Sequence, residues 1–243
     1  VSAVVTGGAS GIGAAAAEML RQAGHQVITW DLRGGDIACD ISDPDAVAAA
    51  LEQTLTKVGV PDRLVACAAV GASGMLLAQD PADWKRVIDV NLTGTWLTMR
   101  AVAQAMIDRG SGGSIVAVSS ISGTVADRGM GAYCVSKAAV DMLVRVAASE
   151  WGPHAIRVNA VGPGVTRTPM LAGAEQLPGW LDGVSHRTAL GRVGEADDVA
   201  EAIVGVLEMS WVTGQTVLAD GGLALQSPID TYGQVQRLNA KRS

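Results

Sequence analysis

The sequence predicts an α/β fold built on a parallel sheet. Three observations carry this. The chain opens on a β-branched run, a glycine-rich turn and an Ala-rich helical stretch. Two later runs, Arg63 to Ala69 and Ser114 to Val118, read as apolar strands without alternation, as strands buried on both faces do. Between them and after them, helical patterns alternate with short apolar runs. The 243 residues are 49% apolar and only 17% charged, so a large core can form and disorder is disfavoured. There is no Phe, so Leu, Val, Ile, Met and Trp must fill that core. No internal repeat, linker or boundary divides residues 1–243, which read as a single domain.

Taken in order, Ser2 to Val5 is the first strand. Thr6-Gly7-Gly8-Ala9-Ser10-Gly11-Ile12-Gly13 follows, then an amphipathic helix to Ala23 that Gly24 stops. A glycine-rich turn between strand and helix lets backbone approach a pyrophosphate, and the helix N-terminus offers free N–H groups. The plain alternative is a tight turn. His25 to Trp30 is the second strand, with Asp31 at its end, 18 residues past Gly13. An acidic side chain there binds an adenosine ribose 2′-OH and repels a 2′-phosphate. Ser10 carries no charge to attract such a phosphate, whereas Arg33 could accommodate one; the balance favours NAD over NADP.

Asp36 to Cys39 reads as a short third strand, too close to the second for the usual helical crossover. Asp40 follows, placed either to bond an adenine amine or to cap the helix that starts near Asp43-Pro44 and runs to Val58. Pro81 to Asp108 reads as one long helical stretch, with Asn91 inside it as the mark of a kink that exposes a carbonyl or holds a water. The strand ending at Val118 leads to Ser119-Ser120, where open sheets place ligands. A helix carrying Tyr133 runs to Trp151, Ile156 to Ala160 is a strand, and Gly162-Pro163-Gly164 is a turn. Residues 165–190 form an irregular stretch long enough for a substrate lid. A helix from Ala196 to Met209 and a last strand from Thr216 to Leu218 precede a tail at residues 223–243 without periodicity.

The candidate chemistry sits at Tyr133-Cys134-Val135-Ser136-Lys137. A Tyr and a Lys four apart share a helix face. Moving a phenol from about 10 to neutrality takes roughly 4 kcal/mol of preference for the phenolate. An ammonium ~4 Å away at an effective dielectric of ~20 supplies about that much. Tyr133 and Lys137 therefore read as a general acid/base pair, with a half-buried Tyr beside a solvated Lys as the alternative. Net charge is −6 without a Lys/Arg run, which excludes nucleic acid as the expected partner. No apolar run reaches the ~18 residues of a membrane span, and no signal peptide is visible. Cys39, Cys67 and Cys134 lack CxxC spacing and read as buried small residues in a reducing, cytoplasmic setting. The three His show no metal spacing, so no metal is expected.

Together these residues resemble the short-chain dehydrogenases/reductases. The likeness rests on Thr6-Gly7-x-x-x-Gly11-x-Gly13, Asn91, Ser120, Tyr133-x-x-x-Lys137, Pro163-Gly164 and the Gly214…Asp220-Gly221-Gly222 ending. It implies a Rossmann-type, doubly wound sheet of about seven parallel strands, with helices on both faces. It implies NAD(P)-dependent alcohol/ketone chemistry by a tetrad of Asn91, Ser120, Tyr133 and Lys137. Ser120 orients the substrate oxygen, Lys137 also grips the nicotinamide ribose, Asn91 holds a water, and Thr168 fixes the carboxamide. Further cofactor contacts implied are Gly7, Ser10, Gly11, Ile12, Gly13, Asp31, Leu32, Asp40, Ile41, Ala68, Ala69, Pro163, Gly164 and Thr166. A homotetramer through the helices near 81–108 and 131–151 is also implied, with the tail as an added contact.

Some features depart from the family pattern. Ala66-Cys67-Ala68-Ala69 stands where Asn-Asn-Ala-Gly is usual, Thr166 replaces an Ile or Val, and the helix after the second strand is missing. The short Asp31-to-Asp40 link is similar to the hydroxysteroid dehydrogenase/carbonyl reductase branch. Met75, Met130, Met170, Leu171, Leu177, Trp180 and Leu181 suggest an apolar pocket. The expected reaction is NAD-dependent interconversion of a hydroxysteroid-like or hydroxyacyl-like alcohol and its ketone. The alternatives are an NADPH-dependent 3-oxoacyl thioester reductase, with Arg128 and Arg167 facing an acidic carrier, and a non-catalytic dinucleotide sensor or scaffold.

Overall fold

The computed structural model describes residues 1–225. The strands are β1 (Ser2–Thr6), β2 (Gln26–Asp31), β3 (Ile37–Ala38), β4 (Arg63–Ala66), β5 (Gly113–Val118), β6 (Ile156–Pro163), β7 (Thr166–Arg167), β8 (Gly194–Glu195) and β9 (Thr216–Ala219). Seven of them form one sheet in the order β3-β2-β1-β4-β5-β6-β9, with every pairing parallel. β7 and β8 pair separately. The chain leaves β1 toward one edge and crosses to β4 on the other side. The crevice at the carboxyl ends of β1 and β4 is therefore the topological switch point.

The helices are α1 (Gly11–Gln22), α2 (Pro44–Val58), α3 (Pro81–Ile88), α4 (Thr95–Arg109), α5 (Gly131–Trp151), α6 (Trp180–Arg187) and α7 (Ala196–Glu208). Because side chains alternate along a strand, each central strand feeds two cores. Val4, Leu64, Ile115 and Val158 face a core closed by α2, α4 and α5. Val5, Val65, Val116 and Val161 face a second core closed by α1 and α7. That two-sided burial is why these strands read as unbroken apolar runs. With no Phe, the largest enclosed side chain is Trp30, whose Nε1–H donates to Thr54 Oγ1 at 2.9 Å. The indole is buried without an orphaned donor.

The missing crossover helix has a local explanation. Asp36 turns back onto β2, its carboxylate accepting from Thr29 N and Thr29 Oγ1, both at 2.8 Å, while Asp36 N donates to Thr29 Oγ1 at 3.0 Å. Gly35 makes the return possible, since a Cβ there would lie 2.9 Å from Asp31 N. A two-residue β3 then pairs in parallel with Trp30 and Asp31.

Several sequence expectations need correction. The stretch from Pro81 to Asp108 is not one helix. A π-turn, Asp89–Gly94, separates α3 from α4. Thr95 and Thr98 hydroxyls bond back to the Asn91 and Gly94 carbonyls at 2.8 and 2.9 Å, competing with the regular ladder there. A Cβ on Gly94 would lie 2.8 Å from Ile41, so the break is also where the chain after β3 packs. The strand from Arg63 ends at Ala66, not Ala69, because Cys67 N and Ala68 N turn to Thr6 Oγ1. Gly162 and Pro163 belong to β6 and are not part of a turn. Asp40 does not cap α2. Its carboxylate accepts from Ser42, and Asp43 caps the helix by accepting from Asp45 N at 2.9 Å. Residues 165–190 contain β7, two short 3₁₀ turns and α6. Of the tail, Leu223–Leu225 forms a 3₁₀ turn and residues 226–243 lie outside the described residues.

Candidate active site

The glycine turn closes by backbone contact. Gly7 has φ +65°, and a Cβ on it would lie 2.8 Å from Ala68 Cα. A Cβ on Gly13 would lie 2.2 Å from the Gly7 carbonyl, so α1 starts hard against the turn. Ser10, the N-cap of α1, makes no side-chain cap bond, which leaves the first N–H groups of the helix for a ligand. Asp31 stands at the rim, its carboxylate accepting from Ala9 N at 3.1 Å and from Arg33 N at 3.4 Å. Leu32 is exposed beside it. Across the crevice, a Cβ on Gly11 would touch Thr168 at 3.3 Å, so the turn and the segment after β7 form its two walls. Ile12, Ala68 and Ala69 line the region half-buried. Pro163 ends β6, Gly164 packs on Asp220, and the Thr166 hydroxyl donates to the Gly164 carbonyl at 3.0 Å. A cradle this tight, with a free helix N-terminus and an acidic rim, fits a dinucleotide. Asp40 is exposed with its carboxylate accepting from Ser42, and Ile41 is buried under the π-turn.

The reactive residues meet at the carboxyl end of β5. Ser120 caps a short turn, its Oγ accepting from Ser122 N at 3.1 Å, and its hydroxyl lies close enough to Tyr133 to act on the phenol. Ser119 is spent elsewhere, its hydroxyl directed at the Lys137 carbonyl at 3.3 Å. Lys137 is 2% exposed, and its Nζ donates to the Val118 carbonyl at 2.7 Å. That Nζ lies 5.6 Å from the Tyr133 ring centroid. Asn91 is fully buried. Its Oδ1 accepts from Val70 N at 2.8 Å, and its Nδ2 donates to Val70 O at 2.9 Å and Ser136 Oγ at 3.1 Å. The Asn91 side chain thus clamps the loop after β4 to the helix carrying Tyr133. The expected kink is the π-turn.

The electrostatics of the pair differ from the sequence expectation. Burial pushes the Tyr133 phenol above its ordinary value, and the Ser120 hydroxyl beside it offsets that only in part. Burial brings the Lys137 ammonium down to about 8. The ammonium is held against a carbonyl and not against the phenol, so proximity alone does not ionise Tyr133.

Two residues at the site were not foreseen. Cys67 follows β4 to a place near both Lys137 and Tyr133, and burial pushes its thiol up to about 11, so it is neutral there. Its place at a strand's carboxyl end was the available signal. Asp141, buried one turn beyond Lys137, was overlooked because an acidic residue in a helix reads as surface. Among the described residues, no group of three or more His, Cys, Asp or Glu could hold a metal ion, and no helix is long and apolar enough to cross a membrane.

This fold and this cluster define a dinucleotide-dependent oxidoreductase of the open-sheet type. A family model described as enoyl-(acyl carrier protein) reductase matches residues 7–224. The 2,5-dichloro-2,5-cyclohexadiene-1,4-diol dehydrogenase of Sphingobium indicum is 39% identical over 237 residues, covering 90% of this chain and 95% of that protein. The (3R)-3-hydroxyacyl-CoA dehydrogenase of Canis lupus familiaris is 36% identical over 248 residues, covering 91% and 95%. The ligand-free structure of Thermoplasma acidophilum aldohexose dehydrogenase superposes with a TM-score of 0.90 at 30% identity, covering 95% and 96%. The chain belongs to the short-chain dehydrogenase/reductase family, whose members are NAD(P)-using oxidoreductases acting on CH–OH groups.

Proposed function

We propose that this single-domain, cytoplasmic chain is an NAD-dependent oxidoreductase that interconverts an apolar secondary alcohol and its ketone. The observation that carries this reading is the convergence of Ser120, Tyr133 and Lys137 at the end of β5, beside the glycine cradle. When bound, the nicotinamide supplies the hydride acceptor or donor. Tyr133 takes the alcohol proton in oxidation and returns it in reduction. Its phenol is held high by burial in the protein alone, and a positive nicotinamide ring bound beside it would favour the phenolate. Ser120, placed beside Tyr133, orients the substrate oxygen. Lys137 grips the nicotinamide ribose. Asn91 has both side-chain N–H groups donated to Val70 and Ser136, and its main-chain carbonyl accepts from the Thr95 hydroxyl, so a water would take that carbonyl's second lone pair.

Gly7, Ser10, Gly11, Ile12 and Gly13 receive the pyrophosphate, and Ala68 and Ala69 flank the adenosine ribose. Pro163, Gly164, Thr166 and Thr168 hold the nicotinamide end. Asp31, pinned by Ala9 N, favours a free 2′-OH and hence NAD. The exposed Met75, Met170 and Leu177 support an apolar substrate, and the cyclic diol named for one relative suggests a ring alcohol. The thioester-reductase reading keeps support from the hydroxyacyl relative, but Arg167 is already paired with Glu195 at 3.1 Å and with Glu175 at 3.7 Å. A sensor or scaffold has no need of all four reactive residues, which are retained. A homotetramer is the assembly this reading takes.

The test is turnover of cyclic alcohols, hydroxysteroids, 3-hydroxyacyl thioesters and aldohexoses with NAD and with NADP. Oxidation of ring or acyl alcohols with NAD, reduced at least ~100-fold in Tyr133→Phe, is the expected outcome. Turnover only of aldohexoses, or only with NADP, overturns the substrate or cofactor assignment.

A further inference from the structure

We propose that Ser136 is a positioning residue for Tyr133 and Lys137, a role that rests on the oxidoreductase reading. Its buried hydroxyl carries the Asn91 clamp into the turn of α5 that holds both reactive side chains.

Val70 sets the direction of a chain of hydrogen bonds. A main-chain N–H can only donate, so the Asn91 Oδ1 must face Val70 N, which it meets at 2.8 Å. The Nδ2 group is then the one that turns to Val70 O at 2.9 Å and to Ser136 Oγ at 3.1 Å. Ser136 Oγ thus receives a proton from Asn91, and its own proton is left for the Tyr133 carbonyl, 2.7 Å away. Within an α-helix that carbonyl also accepts from the N–H four residues on, here Lys137. One oxygen therefore ties the main chain of Tyr133 to that of Lys137, and the Ser136 hydroxyl draws it toward the Asn91 amide. Ser136 and Asn91 are both fully buried. A serine that only bonds back to its own helix has its acceptor side free. Here that side is filled by a residue 45 positions away. The far end of the chain matters as much. Val70 lies in the loop that leaves β4, and the same loop brings Cys67 and Ala68 against Thr6 and Gly7 of the glycine turn. Ser136 is thus the point where one wall of the dinucleotide cradle is fastened to the helix of the proton donor. Hydride and proton transfer need both held in one geometry, and a misplacement of ~1 Å costs up to about 100-fold in rate. Without the hydroxyl, one Asn91 N–H has no partner and the Tyr133 carbonyl is released from the clamp.

The experiment compares the wild-type protein with Ser136→Ala, Asn91→Ala and the double variant, each with NAD and the best alcohol of the panel. In Ser136→Ala kcat falls ~10- to 100-fold, while KM for the alcohol and NADH affinity by fluorescence stay within ~3-fold of wild type. The double variant is no more than ~3-fold slower than Asn91→Ala, because the two residues act through one chain. A kcat within ~3-fold of wild type in Ser136→Ala, with only a lower melting temperature, overturns the proposal and leaves Ser136 a packing residue of α5. Losses that multiply in the double variant overturn it too, since Ser136 then acts without Asn91. If Ser136→Ala does not fold, Ser136→Cys, of similar shape with a weaker donor, takes its place, and an unchanged kcat overturns the proposal equally. Amide hydrogen exchange separates this role from the reading on which it rests. If the wild-type protein oxidises no alcohol, the functional reading fails. Faster exchange of the Lys137 N–H in Ser136→Ala, with that of Val144 unchanged, then still establishes the tie, and equal exchange overturns it.

Discussion

Burial of Lys137 has a measurable consequence of its own. Its proton affinity drops from 10.5 to about 8 on folding, a difference worth about 3 kcal/mol. The sign follows from proton counting. Between those two values the unfolded chain holds the Lys137 proton and the folded chain does not, so stability rises with pH across that window. Below about 8 the folded protein carries the buried charge and the whole penalty is present. Lys137→Met should therefore be more stable than wild type at pH 7, by about 2 kcal/mol once the orphaned Val118 carbonyl is charged against the gain. Urea unfolding at pH 7 and pH 9.5 tests this. The gap should narrow at the higher pH, while activity is lost at both. An equal gap at the two values would mean Lys137 does not titrate in that range. The identities of Tyr133, Lys137 and Ser120 were legible because each sits at a fixed spacing from a recognisable element. Their proton affinities were not, because burial depends on residues distant in sequence, and burial decides both.

Among the elements, the tight return from β2 to β3 takes the place of a helix. Thr29 and Asp36 exchange three hydrogen bonds across it. Burial pushes the Asp36 carboxyl up, but the bonds from Thr29 and the nearby Arg21 hold it below its usual value. Asp36→Ala should cost about 1 kcal/mol, a discounted figure because the carboxylate is partly exposed. It should also weaken dinucleotide binding, since the same loop begins at Asp31. Because Asp36 is depressed, its contribution is present at neutral pH and fades as pH falls through its folded value. Chemical unfolding at pH 7 and pH 3 checks both statements. If the wild-type and Asp36→Ala curves stay equally separated at pH 3, the clasp is not electrostatic. The short link itself was visible in sequence as a gap too brief for a helix. What closed it was not, because the Thr29–Asp36 pairing is a contact across the turn. The α3–α4 break shows the same limit. Asn91 marked the place, but the threonine hydroxyls and Ile41 that shape the π-turn act through contacts a helical pattern does not encode.

At the scale of the whole molecule, α5 presents more apolar surface than one sheet can bury. Its inner residues, among them Val140 and Val144, close the core over β5 and β6. On its outer face Val135, Met142 and Val146 are 48%, 53% and 46% exposed, at spacings of seven and four residues along one stripe. Trp96 on α4 is 41% exposed, with the Arg100 guanidinium 5.7 Å from its ring. A contiguous apolar stripe on a charged chain of this size marks a contact surface. A tetramer packing α4 and α5 of neighbouring subunits would cover it. The doubled change Met142→Glu with Val146→Glu places two charges in that contact and touches neither the cradle nor the reactive cluster. Light scattering should show the wild-type protein at four times the chain mass and the variant as smaller species. Circular dichroism should show the helices intact, because both positions face away from the core. A wild-type protein already at the mass of one chain would remove the tetramer. A variant unchanged in mass would move the interface to another face of the sheet.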